Sequence, residues 1–248
     1  MIYIKNKKDI EIMREACKLT KEALYEVGKF IKPGVTTKEL DRVAFDFVKK
    51  HKAVPSFLNY NGFPASICSS VNDEVVHGIP DNRALNNGDI ISIDIGAYLN
   101  GFHGDCAKTF FVGNVSEDAK RLVEVTRNSF YEGLKFAKAG NRIGDISSAI
   151  QMYVEKNGCS VVRDLVGHGI GHDLHEDPSV PNFGKEGKGV RLVSGMTLAI
   201  EPMVNLGGYS VYTESNDWTV KTMDGSLSAH YENTILITDG EPEILTKA

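Results

Sequence analysis

The segment YEVGKFIKPGVTTKELDRVAFDFVKK, beginning at Tyr25, aligns without gaps on YEGLKFAKAGNRIGDISSAIQMYVEK, beginning at Tyr131. Tyr, Glu, Lys, Phe, Lys, Gly, Val and Lys recur at matching places. The match continues, one residue out of register, from Gly88-DIISI-Asp94 to Gly195-MTLAI-Glu201. In each half a glycine opens a short apolar run and an acid closes it. A second acid then precedes a β-rich run: Asp105 ahead of AKTFFV, and Glu232 ahead of NTILIT. Helix–turn–helix segments can look alike by chance, but the agreement of helices, strand glycines and acids together favours duplication. The expectation is one domain, residues 1–248, built from two related halves at about 9–112 and 116–238, with their acids meeting at the junction.

Local patterns fill in the first half. From about Asp9 to Ile31, apolar residues recur at helical spacing (Ile12, Ala16, Leu19, Ala23, Leu24, Val27), and Pro33-Gly34 ends the run. Thr36 or Thr37 can cap a second helix with Leu40, Val43, Ala44, Phe47 and Val48 as its buried stripe. Strand-like sequence follows from Asp89 to Ala97 and from Lys108 to Val112, with Asn100-Gly101 between them. Hydrophobic residues at 42% and charged residues at 25% are those of a globular chain. A net charge of -5 argues against a nucleic-acid partner. No run reaches the length of a signal peptide or a membrane span. Cys17, Cys68, Cys106 and Cys159 are scattered and read as free thiols. A soluble, cytoplasmic protein is expected, with no membrane partner.

The chemistry concentrates in three places. Asp94 lies in ISIDIG, where a buried carboxylate is costly unless paired or bound to a cation. Asn100-Gly101 favours a two-residue type I′ turn. That turn sets Leu99 opposite Phe102, Gly96 opposite Asp105 and Asp94 opposite Ala107, so the two aspartates share a face. Two carboxylates aimed at one point repel, and a metal ion removes the repulsion. Glu201 and Glu232 echo them in the second half. The third place is DLVGHGIGHDLHEDP, where Gly167, Gly169 and Gly171 exclude a stable helix and His168, His172 and His175 are delivered from a strand or loop. Spacing leaves open which of the three binds. His77 ends a short strand-like run and says little by itself; His51, His103 and His230 carry no functional signal in their spacing.

Taken together, ISIDIG, FHGDCAKTF, GHGIGHDLHEDP, AIEPM and SAHYENTILIT resemble the methionine aminopeptidases over roughly Lys7 to Thr238. The short interval between His168 and Glu201, and the lack of an N-terminal extension, are similar to the type I, short bacterial form. The resemblance implies an α/β (α+β) pita-bread fold, a curved antiparallel sheet with outer helices and internal pseudo-twofold symmetry. It implies that Asp94, Asp105, His168, Glu201 and Glu232 hold two divalent metal ions, with Co, Mn, Fe or Zn suited to such an oxygen-rich set. Glu201 is then the proton carrier, His175 the group that steadies the tetrahedral oxygen, and His77 the contact to the scissile nitrogen. Tyr60, Phe63, Cys68, Leu174 and Trp218 fall near the methionine pocket. Phe63 stands where a tyrosine is common in bacterial members, and Leu174 where an aromatic is common.

The resemblance also implies nascent polypeptide N-termini as substrates, a transient ribosome contact and a monomer. Two other readings compete. Xaa-Pro dipeptidases and aminopeptidase P share the ligand pattern but usually carry an N-terminal domain ahead of it, and fewer than a hundred residues precede Asp94. A binding module that had lost catalysis would have lost ligands, and all five are present.

Overall fold

The computed structural model describes residues 1–247. Helix α1 (Lys7–Gly28) starts at Asn6, whose side chain accepts from the Lys8 and Asp9 amides while Asp9 returns a bond to the Asn6 amide. Such a reciprocal cap satisfies amides that have no partner within the helix. Helix α2 (Thr37–Lys50) uses Thr36 and Glu39 in the same way. The inward stripe of α1 is Met13, Ala16, Cys17, Leu19, Ala23, Leu24 and Val27, the stripe read from the sequence except that Met13 and Cys17 are buried too and Ile12 only half-buried. The helix also begins two residues and ends three residues earlier than the periodicity suggests, because Asn6 caps it and the Gly28–Ile31 segment already turns.

Helices α3 (Glu117–Leu134) and α4 (Ile143–Lys156) repeat this arrangement. The cap residues Lys29, Thr36 and His51 of the first helix pair recur at equal spacing as Lys135, Arg142 and Asn157 of the second. Gly34 donates to the Leu85 carbonyl, and Gly140 likewise to that of Leu192. Each helix pair covers its own core. One core gathers Leu24, Leu40, Val48, Ile67, Ile91, Ile93 and Ile95; the other gathers Leu122, Phe130, Ile146, Ile150, Leu198 and Ile235.

The helices leave one side of the antiparallel strands uncovered for the site. In the first half, Ile90–Leu99 pairs with Phe102–Phe111, Ile67–Val71 and Val54–Pro55. Both partners of the hairpin run longer than the apolar runs imply, since the ladder continues to the turn itself. In the second half, five strands lie in the order Glu243–Ile244, Asn233–Leu236, Thr197–Ile200, Gly167–Gly169 and Glu176–Val180. The two sheets meet where Ala107 and Glu232 exchange backbone hydrogen bonds and Lys108 bridges Tyr231. No described helix is long and apolar enough to cross a membrane. All four cysteines are free and buried.

Candidate metal centre

Asn100 and Gly101 adopt φ of 52° and 95°, the double positive φ a type I′ turn requires. The register that follows is the one the turn dictates: Leu99 opposite Phe102, Gly96 opposite Asp105, Asp94 opposite Ala107. On the other flank of the same strand Cys68 stands opposite Asp94, which puts its thiol on the same face. In the second half, Asn233 pairs with Ile200, so Glu232 and Glu201 sit at facing ends of their strands. His168 pairs with Ala199 one strand further along. Gly169 is needed there: a Cβ at that position falls 2.2 Å from the Asp177 carbonyl oxygen. The backbone contact between Ala107 and Glu232 then brings both sets together. Donor atoms of Asp105, His168 and Glu232 lie within 4.8 Å of one another.

The donor chemistry fits a divalent cation. His168 Nδ1 lies 2.8 Å from the Gly169 carbonyl oxygen, which can only accept, so Nδ1 carries the proton and Nε2 presents its lone pair. That lone pair faces Glu201 Oε1 at 3.6 Å and Asp105 Oδ2 at 3.9 Å. A lone pair directed at two carboxylate oxygens is repulsive unless a cation lies between them. Burial, and then the neighbouring His175, pull the His168 pKa down to about 3, so protonating this imidazole does not relieve the repulsion. Buried Asp94 Oδ1, Asp105 Oδ1 and Glu232 Oε1 have no hydrogen-bond partner among the described residues. Burial pushes the Asp94 carboxyl up to about 7. Burial and the facing carboxylates push Asp105, Glu201 and Glu232 well above the usual carboxylate range. Each of the four carboxyl shifts has the direction expected of anions crowded into low dielectric without their counter-charge.

A cavity of about 240 Å³ opens over these groups, and every residue the resemblance assigns to the site lines it. The four acids and His168 form one end; Tyr60, Phe63, Cys68, Leu174 and Trp218 form the apolar wall, with His77 and His175 between. Phe63 meets the half-exposed Trp218 edge-on at 5.1 Å between ring centroids. His175 stands at the rim, its Nδ1 2.7 Å from the Tyr60 hydroxyl and its ring 4.2 Å from that of His168. His77 follows the strand Glu74–Val76 at a φ of 59°, a conformation uncommon for a side chain of this size and frequent at functional sites. Burial and the nearby His175 draw its pKa down to about 4. His172 is turned away, donating to the Gly101 carbonyl and stacked on Phe102.

His230 changes standing. Its spacing carries no signal, yet the ring is buried with Nε2 3.7 Å from Glu201 Oε2. The available clue was its position in SAHYEN, two residues before Glu232 in a run that leads into a strand.

A sequence profile described as metallopeptidase family M24 matches residues 11–239. The methionine aminopeptidase of Clostridium acetobutylicum is 60% identical over 247 residues, covering 99% of both chains. Methionine aminopeptidase 1 of Bacillus subtilis is 56% identical and covers all of both. The crystal structure of the methionine aminopeptidase from Rickettsia prowazekii superposes with a TM-score of 0.98 at 44% identity over the full length of each. The Xaa-Pro dipeptidase from Bacillus anthracis has a TM-score of 0.80 at 24% identity, a likeness of fold that spans 62% of that protein. With the four acids and His168 gathered at one end of one cavity, and with whole-length relatives of this kind, the chain belongs to metallopeptidase family M24, in its methionine aminopeptidase branch.

Proposed function

We propose that this chain is a methionyl aminopeptidase of the cytoplasm. It removes the N-terminal methionine from nascent polypeptides whose second residue is small. One observation carries the reading: a ring of buried, unpartnered carboxylates and an imidazole lone pair closes one end of a cavity whose wall is apolar and soft. A thioether side chain suits Tyr60, Phe63, Cys68, Leu174 and Trp218, while the free α-amine lies toward the acids. The domain is a single unit of two related halves, about 9–112 and 116–238, and it acts as a monomer with at most a transient ribosome contact.

Asp94, Asp105, His168, Glu201 and Glu232 would hold two divalent ions from among Co, Mn, Fe and Zn. Such a pair activates water at neutral pH and polarises a carbonyl oxygen. The remaining work falls to side chains. Glu201 accepts the proton of the attacking water and returns it to the departing amine. His175, held by the Tyr60 hydroxyl, donates to the oxygen that gains charge as the carbonyl becomes tetrahedral. His77, held in place by its strained backbone, contacts the scissile nitrogen.

The test uses metal-stripped protein reloaded separately with Mn, Co, Fe or Zn and given peptides beginning Met-Ala, Met-Ile and Ala-Pro. Metal-dependent release of methionine from Met-Ala alone is the expected result. Cleavage of Ala-Pro moves the chain to the proline-specific branch, and metal binding without any cleavage removes the enzymatic reading.

A further inference from the structure

His230 sits inside the centre and takes no part in the chemistry above. It is 1% exposed, and neither Nδ1 nor Nε2 has a hydrogen-bond partner among the described residues. A neutral imidazole owns one N–H and one lone pair, and leaving a buried donor unused is a cost that folded proteins rarely carry without reason. The backbone cannot swing the ring away. The His230 amide accepts no freedom: it donates to Thr109 Oγ1 at 2.9 Å, Thr109 Oγ1 donates to the His230 carbonyl at 2.9 Å, and the residue pairs with Met203 in its sheet. So anchored, the ring directs Nε2 at two carboxylate oxygens, Glu201 Oε2 at 3.7 Å and Glu232 Oε2 at 4.0 Å. The opposite oxygen of Glu201 faces His168. Glu201 therefore lies between two imidazoles: His168 turns its lone pair to one carboxylate oxygen, and His230 turns Nε2 to the other.

We infer that His230 is a positioning residue of the metal centre, carrying its proton on Nε2 and donating it to the outer oxygen of Glu201, with the Glu232 oxygen as its neighbour. The present separations exceed hydrogen-bond range by about 0.5 Å for Glu201 and about 0.8 Å for Glu232, gaps that small rotations of the carboxylates close. Outer hydrogen bonds of this kind fix the orientation of ligating carboxylates, and losing one costs about 10–100-fold in metal affinity or activity.

The inference rests on the metallopeptidase reading, so the experiment begins with wild-type protein titrated with Co(II) by calorimetry and followed by its visible absorption. Wild type that binds no divalent ion refutes the parent reading. If wild type binds, His230→Leu is expected to weaken Co(II) binding about 10–100-fold, to alter the absorption bands, and to lower kcat with little change in KM. His230→Gln, which restores an N–H donor, is expected to recover most of the affinity. A His230→Leu variant with wild-type affinity and spectrum overturns the inference. A readout on the unaltered protein decides even if that variant does not fold: 15N spectra of the zinc-loaded chain should show a protonated, hydrogen-bonded Nε2 on His230. An Nε2 without a proton, or one bonded to the metal, overturns it as well.

Discussion

Asp94 shows how one carboxylate records the missing charge of its surroundings. It lies on the strand Ile90–Leu99 between Cys68 and Ala107, and burial holds its pKa near 7 against an ordinary 3.8. In the metal-free protein the folded state keeps this proton while the unfolded chain gives it up above pH 4. The folded state therefore binds more protons between pH 4 and 7, and the stability due to Asp94 is complete below that window and lost as pH rises through it. The buried neutral histidines, His168 and His230 with pKa near 3 and His77 near 4, act in the opposite direction. They are common to wild type and an Asp94→Asn variant and largely cancel in the difference. With chelator present, Asp94→Asn should gain on wild type as pH rises from 4 toward 7, by up to about 1.4 kcal/mol per pH unit from Asp94 itself and further in the same direction from Asp105, Glu201 and Glu232, which Asp94 helps to push up. Urea unfolding at three pH values measures this, and a gap that stays flat with pH contradicts it.

Elements explain what sequence could and could not announce. Hairpin register was legible because a two-residue turn leaves no freedom of counting: once Asn100-Gly101 is the loop, Asp94 and Asp105 must share a face. Helices were legible through their period and the Thr36 cap. The pocket wall was legible only through resemblance, since Phe63 and Leu174 look like any core residues until the strands and loops converge. His230 and Lys5 were not legible, because their meaning comes from distant partners. Nothing in MIYIKNKK announces that the Lys5 ammonium is buried against Glu176, with side chains 3% and 2% exposed. The strand Gly167–Gly169 tests the link from element to site. In Gly169→Ala the new methyl meets the Asp177 carbonyl at 2.2 Å and must push the strand, and His168 with it. Overpacking of this kind costs about 1–3 kcal/mol, and metal affinity should fall alongside thermal stability. Thr36→Ala is the contrast: losing the α2 cap should cost about 1 kcal/mol and leave metal affinity unchanged. If Gly169→Ala binds metal as wild type does, His168 is not held by that strand.

At the scale of the whole molecule, the centre lies on a seam. Asp94 and Asp105 come from the first hairpin, while His168, Glu201 and Glu232 come from the second sheet. Beside the acids, Ala107 and Glu232 exchange backbone bonds of 3.0 and 3.3 Å, Thr234 Oγ1 ties both backbone groups of Asp105, and further out the strand Glu74–Val76 pairs with Val220–Thr222. The N-terminal arm adds a strap, because the Lys5 amide donates to Gly195 and its ammonium pairs with Glu176, both in the second half. Without cations, the acids on the two sides repel across this joint. Bound cations convert that repulsion into attraction, so their binding energy works to hold the halves together. At a free metal concentration 100-fold above Kd, one site adds about 2.7 kcal/mol to stability. If seam opening is the motion that cation binding opposes, the gain is local as well as global. Amide exchange at Ala107 and Glu232 should then slow by up to about 100-fold on adding metal, while the exposed start of α3 at Glu117 and Asp118 keeps its rates. Equal exchange at the seam with and without metal would show that the protein's own contacts hold the joint without help from the cations.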